Sequence, residues 1–126
     1  MNMSKQVNQN EFKILEELSR FAVDTASDGH ASDILLLNIS NISAFADFMI
    51  ILTVGSPRQM SAVAEELEIG MKSKCVKKLR KEGTPNSGWV VVDFGDIVVH
   101  LFGKDEREYY SLDNVWADAP RLLRIQ

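Results

Sequence analysis

A chain of 126 residues with a formal net charge of −4 fits one domain, large enough to bury roughly two-thirds of its unfolded surface without a staple. Its single cysteine, Cys75, excludes an internal disulfide and a cysteine-based zinc cluster, so a reduced compartment is the simpler setting and an ordinary half-buried thiol the simpler role. The acidic balance disfavours a dedicated nucleic-acid-binding domain, and the longest apolar runs, Ile34 to Leu37 and Met49 to Leu52, fall far short of the roughly 18 residues of a membrane span.

The opening MNMSKQVNQN has neither an apolar signal core nor an Arg-rich amphipathic pattern, which points to the cytoplasm and to a flexible segment over residues 1–10. From Glu11 to Asp28, Ile14, Leu15, Leu18, Phe21, Ala22 and Ala26 recur at helical spacing, and Gly29 is placed to close that helix in the left-handed conformation. His30 then reads as a solvated helix-end residue. DILLLNI, Asp33 to Ile39, and DFMIILTV, Asp47 to Val54, read as buried strands. Ser56 can cap a second helix with Pro57 at its first position, and Met60, Val63, Ala64, Leu67 and Met71 carry it toward Leu79. KEGTPNSG, residues 81–88, reads as a polar loop too short to separate domains.

WVVVDF and IVVHLF then form a hairpin across a two-residue Gly95–Asp96 turn. A short helix is expected before Pro120, with 121–126 as a C-terminal tail. The order of elements predicts a single α/β (α+β) domain over residues 11–120, a mixed sheet partly covered by helices.

The two-residue turn sets the pairing: Phe94 faces Ile97, Val92 faces Val99 and Val90 faces Leu101, on the core side. The opposite side carries Trp89, Val91 and Asp93 with Val98, His100 and Phe102, and places Asp93 and His100 as diagonal neighbours within reach of a hydrogen bond or a bridging water. Aromatic anchors beside a few oriented polar groups suit a protein interface. A covering helix, with Asp93 and His100 as a satisfied buried pair, is the alternative, and the hairpin alone leaves both open.

Other chemistries are less well supported. DFG at Asp93 to Gly95 lacks the Gly-rich and catalytic loops of a kinase. Ser56, Ser111 and Cys75 sit in no recognisable nucleophile setting for His100, and His30 and His100 have no ligand-like spacing. VGS followed by ELEI resembles a nucleotidyltransferase signature, yet Glu66 and Glu68 fall two apart on a helix, diverge, and read as solvated carboxylates. KSKCVKKLRK, Lys72 to Lys81, holds six basic residues and no acid. A solvated helix end is its usual meaning, with Lys77, Lys78 and Arg80 as the residues for an RNA contact.

EG at Glu82 and Gly83, WVVVDFGDIVVHLF from Trp89, REYYSLDNVW from Arg107, and the first-half blocks ASDILLLNI and AFADFMIILTVGSPRQMSAVAEEL together resemble the ribosomal silencing factor family, also called RsfS or Iojap. Asp113 stands where that family usually has Glu, and Ser111 where an acid is common. The resemblance implies a nucleotidyltransferase-like topology without the catalytic acids, no enzymatic activity and no cofactor. It also implies binding to the fourteenth large-subunit ribosomal protein at the intersubunit face, which blocks subunit joining and dampens translation when nutrients are scarce. The residues it assigns to partner binding are Trp89, Asp93, His100, Phe102, Arg107, Tyr109, Tyr110, Leu112 and Trp116. The factor would act without a membrane, as a monomer on the ribosome, and an exposed aromatic face invites a homodimer when free. A nucleotidyltransferase-fold enzyme and an RNA-binding module using the basic stretch are the competing readings.

Overall fold

Helical spacing at the start of the chain produces α1, Gln9–Asp28, in the computed structural model, which describes residues 9–126. The segment expected to be flexible lies outside the described residues except for Gln9 and Asn10, which open this helix. Its buried stripe includes Ala22, Val23 and Ala26, whereas Ile14 faces outward. Gly29 does not take the left-handed conformation expected of it; His30 does, at φ 67°. Gly29 meets a different need, because a Cβ there would lie 3.1 Å from Val63 Cγ2 on the second helix.

Two apolar runs follow as β1, Ser32–Asn38, and β2, Phe48–Val54. Ser56 caps α2, Pro57–Ser73, its Oγ accepting from the Gln59 N–H at 3.1 Å. This helix stops well short of Leu79. Apolar spacing ends at Met71, Cys75 turns the chain at φ 66°, and the Leu79 N–H donates to the Asp93 carbonyl at 2.8 Å, which draws the chain into an extended path. Cys75 is exposed at that turn, not half-buried.

The expected loop over 81–88 contains a strand, β3, Arg80–Thr84, followed by a 3-10 turn, Pro85–Ser87. All five β3 residues are exposed at the sheet edge, so no apolar alternation marks them. Gly83 has φ +85°, and a Cβ on it would lie 2.1 Å from the Trp89 carbonyl oxygen. Gly83→Ala is therefore expected to destabilise the fold by more than about 1 kcal/mol, read as a lower melting temperature. An unchanged melting point would show that the β3 backbone relaxes freely.

β4, Trp89–Asp93, and β5, Ile97–Gly103, form the hairpin in the predicted register, closed by the Phe94 N–H on the Ile97 carbonyl at 2.9 Å. Two short helices, α3, Lys104–Tyr110, and α4, Leu112–Val115, replace the single one expected, divided at Ser111, φ 50°. The supposed tail supplies β6, Arg121–Ile125, which pairs with β1. One six-stranded sheet results, in the order β3-β4-β5-β2-β1-β6, with β2 and β5 parallel and the other pairs antiparallel. The fold is the mixed α/β domain that the element order predicts.

Helices α1 and α2 cover one face of the sheet over a core that includes Ile34, Leu36, Ile50, Leu52, Val90, Val92, Val99 and Leu101. The other face carries Leu35, Leu37, Met49, Ile51 and Phe102 and is roofed by α3, α4 and the segment around Ala119. That roof is incomplete. Among the described residues no helix is long and apolar enough to cross a membrane.

Candidate partner-docking surface

Strand register builds the outer face as rungs running across the sheet. Thr84, Trp89, Phe102 and Thr53 form one; Glu82, Val91, His100, Ile51 and Leu35 the next; Arg80, Asp93, Val98, Met49 and Leu37 the third. The roof buries the β1–β2 end, while Val91, Asp93, Val98 and His100 remain half-open.

Trp89 anchors the first rung. Its indole stacks on Phe102 with centroids 4.9 Å apart, meets Tyr110 at 4.5 Å, and donates Nε1–H to His100 Nδ1 at 3.1 Å. Phe102 is fully buried, so it supports this cluster from beneath instead of meeting a partner. Tyr109 and Tyr110 are 82% and 45% exposed and stand at its rim. His100 sits among Trp89, Val91, Ile51 and Phe102, and burial in this apolar frame lowers its pKa to about 4.

The expected Asp93–His100 bond is absent. Asp93 Oδ1 instead accepts from the Gly95 N–H at 2.7 Å and Oδ2 from Arg80 Nε at 3.3 Å. The carboxylate stabilises the turn that follows it, and the imidazole turns to the indole. Asp93→Asn keeps an acceptor for Gly95 and loses an exposed ion pair, so its melting temperature should match the parent's within about 1 kcal/mol of stability. Asp93→Ala should be the less stable of the two, by about 1 kcal/mol. Equal stability of both variants would remove the turn-capping role.

Arg107 is also beneath the surface, only 7% exposed. It donates to the Asp33 carbonyl, to Thr53 Oγ1 at 2.9 Å and, through Nε and Nη2, to both Asp113 oxygens at 3.2 and 2.9 Å. Burial pushes the Asp113 pKa up, but the hydrogen bond and charge of Arg107 outweigh this and hold it below the usual value. Arg107 thereby pins α3 and α4, the segment that bears Tyr109, Tyr110, Leu112 and Trp116, to the strand ends. Trp116 and Leu112 pack on the outer core cluster.

Trp116 and Val98 also line a groove of about 430 Å³ with Ile42, Phe45 and Met49. Phe45 is 92% and Ile42 51% exposed. Sequence reasoning missed both, although apolar side chains in a loop between strands are the signal that could have found them.

The basic stretch is not a helix end. Only its first residues close α2, and the rest runs out to β3. Lys78 and Lys81 converge on Glu68 at 2.8 and 3.0 Å, and Arg80 is engaged by Asp93. Glu68 is therefore not a free solvated carboxylate: desolvation raises its pKa, but the two lysines lower it further and prevail. Glu66 lies toward Gly29 instead, so the two acids do diverge. Lys77 is exposed, with no ion pair among the described residues.

Among the described residues, none of the three candidate nucleophiles faces His100. Ser56 Oγ caps α2, Ser111 Oγ donates to the Glu108 carbonyl at 2.8 Å, and Cys75 lies at the far turn. Among the described residues, no group of three or more His, Cys, Asp or Glu is placed to hold a metal ion. The arrangement suits contact with a partner surface.

Residues 13–126 match the family model described as ribosomal silencing factor during starvation. A ribosomal silencing factor of Halalkalibacterium halodurans is 41% identical over 83% of this chain and 90% of its own length. One from Bacillus subtilis is 38% identical over 83% and 89%. A crystal structure of a Chromobacterium violaceum protein superposes with a TM-score of 0.78 at 32% identity, covering 81% of this chain and 85% of the other. With nearly the whole chain aligned and the fold matched alongside it, this protein belongs to the ribosomal silencing factor family.

Proposed function

We propose that this chain is a non-enzymatic factor that docks on the large ribosomal subunit in the cytoplasm, through the fourteenth ribosomal protein at the intersubunit face. Bound there, it blocks subunit joining by occupancy and so represses translation when nutrients are limiting. The observation that carries this reading is the incomplete roof: the β4–β5 face stays half-open between the exposed rings of Tyr110 and Phe45. Soluble domains seldom leave a joined apolar surface without a partner. Trp89, Asp93, His100, Tyr109, Tyr110, Leu112 and Trp116 form or frame the contact, with Phe102 and Arg107 supporting it from below. The same apolar face favours a homodimer off the ribosome and a monomer on it.

Co-sedimentation with separated large and small subunits tests the proposal. The parent should travel with the large subunit only. Tyr110→Ala should weaken that association by about 2 kcal/mol, as truncation of an aromatic anchor packed on the cluster does; a variant that sediments like the parent removes Tyr110 from the site. Calorimetry with magnesium and nucleotides should give no heat, and a clear signal would favour an enzyme. A supplementary RNA contact is favoured by Lys77, exposed and without an ion pair among the described residues. Its neutralisation together with Lys78 should weaken binding modestly and only at low ionic strength.

A further inference from the structure

The Trp89–His100 contact carries chemical information beyond packing. An indole N–H can only donate, so the His100 Nδ1 that receives it at 3.1 Å must be the unprotonated nitrogen. A neutral imidazole then carries its one proton on Nε2. The indole is itself held, stacked on Phe102 and packed against Tyr110, so the direction of this bond does not depend on a loose side chain.

Nε2 points the other way. Among the described residues no hydrogen bond engages it, and no buried side-chain nitrogen or oxygen lacks a partner, so Nε2 opens to solvent. Around it the face is apolar: Val91 and Ile51 flank His100 across the strands, and Val98 and Phe102 lie beside it along β5. One N–H donor in such a frame must find an acceptor when the face is covered, or remain desolvated and unpaired.

We propose that Trp89 locks His100 as the Nε2–H tautomer, and that this donor selects a main-chain carbonyl of the docked ribosomal protein. This rests on the docking reading given above and names a specificity determinant within it. A neutral carbonyl is favoured over a carboxylate for a physical reason. Asp93, a rung away, and Glu82, on His100's own rung, share the single Arg80 cation, so one negative charge remains in excess, and a further carboxylate would have to be stripped of water beside them, within an apolar frame that keeps the imidazole uncharged.

Long-range proton–nitrogen NMR on the free protein reads the tautomer directly. A protonated Nε2 with an unprotonated Nδ1 is expected, and Trp89→Phe, which keeps a ring but not the donor, should release a mixture. A protonated Nδ1 in the parent overturns the lock, whatever the variants do. Titration calorimetry against the purified fourteenth large-subunit ribosomal protein then tests the donor. His100→Asn retains an acceptor near the Nδ1 position but deletes the outward N–H, and should bind about tenfold more weakly. His100→Gln restores an amide N–H near the Nε2 position and should bind more nearly as the parent does. An Asn variant equal to the parent overturns the donor's role. Parent binding that strengthens as pH is lowered from 7 to 5 would reveal a carboxylate acceptor and overturn the carbonyl assignment. A parent that does not bind the ribosomal protein overturns the docking reading and the donor's role with it, while the NMR result on the free protein still decides the lock.

Discussion

Arg107→Met is expected to lower the unfolding free energy by about 3 kcal/mol, the range for breaking a largely buried ion pair by removing one partner. The guanidinium is the common partner of the Asp33 carbonyl, Thr53 and the Asp113 carboxylate, and its side chain is only 8% exposed. Methionine fills much of the volume but leaves the Asp113 carboxylate half-enclosed without its cation, and one carbonyl loses its donor. Urea unfolding monitored by tryptophan fluorescence measures the loss. The double variant Arg107→Met with Asp113→Leu should recover part of it, because the stranded charge is gone. A single variant within about 1 kcal/mol of the parent would show that α3 and α4 are held by their apolar contacts alone. Binding should fall with stability in the single variant, since the segment that presents Tyr109 and Tyr110 loses its tether.

Acidification should destabilise the protein well before its carboxylates titrate. His100 is held at a pKa of about 4 by burial, against 6.5 for an exposed imidazole. Between these values the unfolded chain takes up a proton that the folded chain refuses. Stability is therefore complete above pH 6.5, declines as pH falls toward 4, and loses no more from this group below that. The total loss is at most about 3 to 4 kcal/mol, since each tenfold difference in proton affinity between the folded and unfolded chains is worth about 1.4 kcal/mol. Glu68 and Asp113 are held low, so their contributions are present above their ordinary values of 4.5 and 3.8 and are lost only as pH falls below them. The window from pH 6.5 to 4.5 thus isolates the histidine. Urea midpoints across it should fall in the parent and stay level in His100→Asn; equal slopes in the two proteins would remove His100 as the cause.

Much of this site was legible because strand parity is local. A two-residue turn at Gly95–Asp96 was enough to assign Val90, Val92, Phe94, Ile97, Val99 and Leu101 to the core and Trp89, Val91, Asp93, Val98 and His100 to the outer face. The Ser56–Pro57 start of α2 followed from capping chemistry within four residues. Parity does not choose partners, however. Asp93 and His100 lie on the same face, yet the carboxylate turns to Gly95 and Arg80 and the imidazole to Trp89. One of the neighbours that decide the first, Arg80, reads as part of a basic helix end, yet it opens strand β3.

What the amino-acid sequence determined by itself was the family, the two long helices, the central strands and the sidedness of the hairpin, because each rests on residue spacing or on local capping and turn geometry. Only the tertiary structure decided the two edge strands, the early end of α2 and the burial of Phe102 and Arg107. Strand β3 is all exposed, and β6 pairs with β1 from the opposite end of the chain, so neither announces itself through apolar alternation. Arg107 looks like a surface cation until the Asp33 carbonyl, Thr53 and Asp113 are brought around it. Contacts between residues distant in sequence supply those hydrogen bonds, and a one-dimensional pattern of polar and apolar residues holds no record of which distant groups will meet.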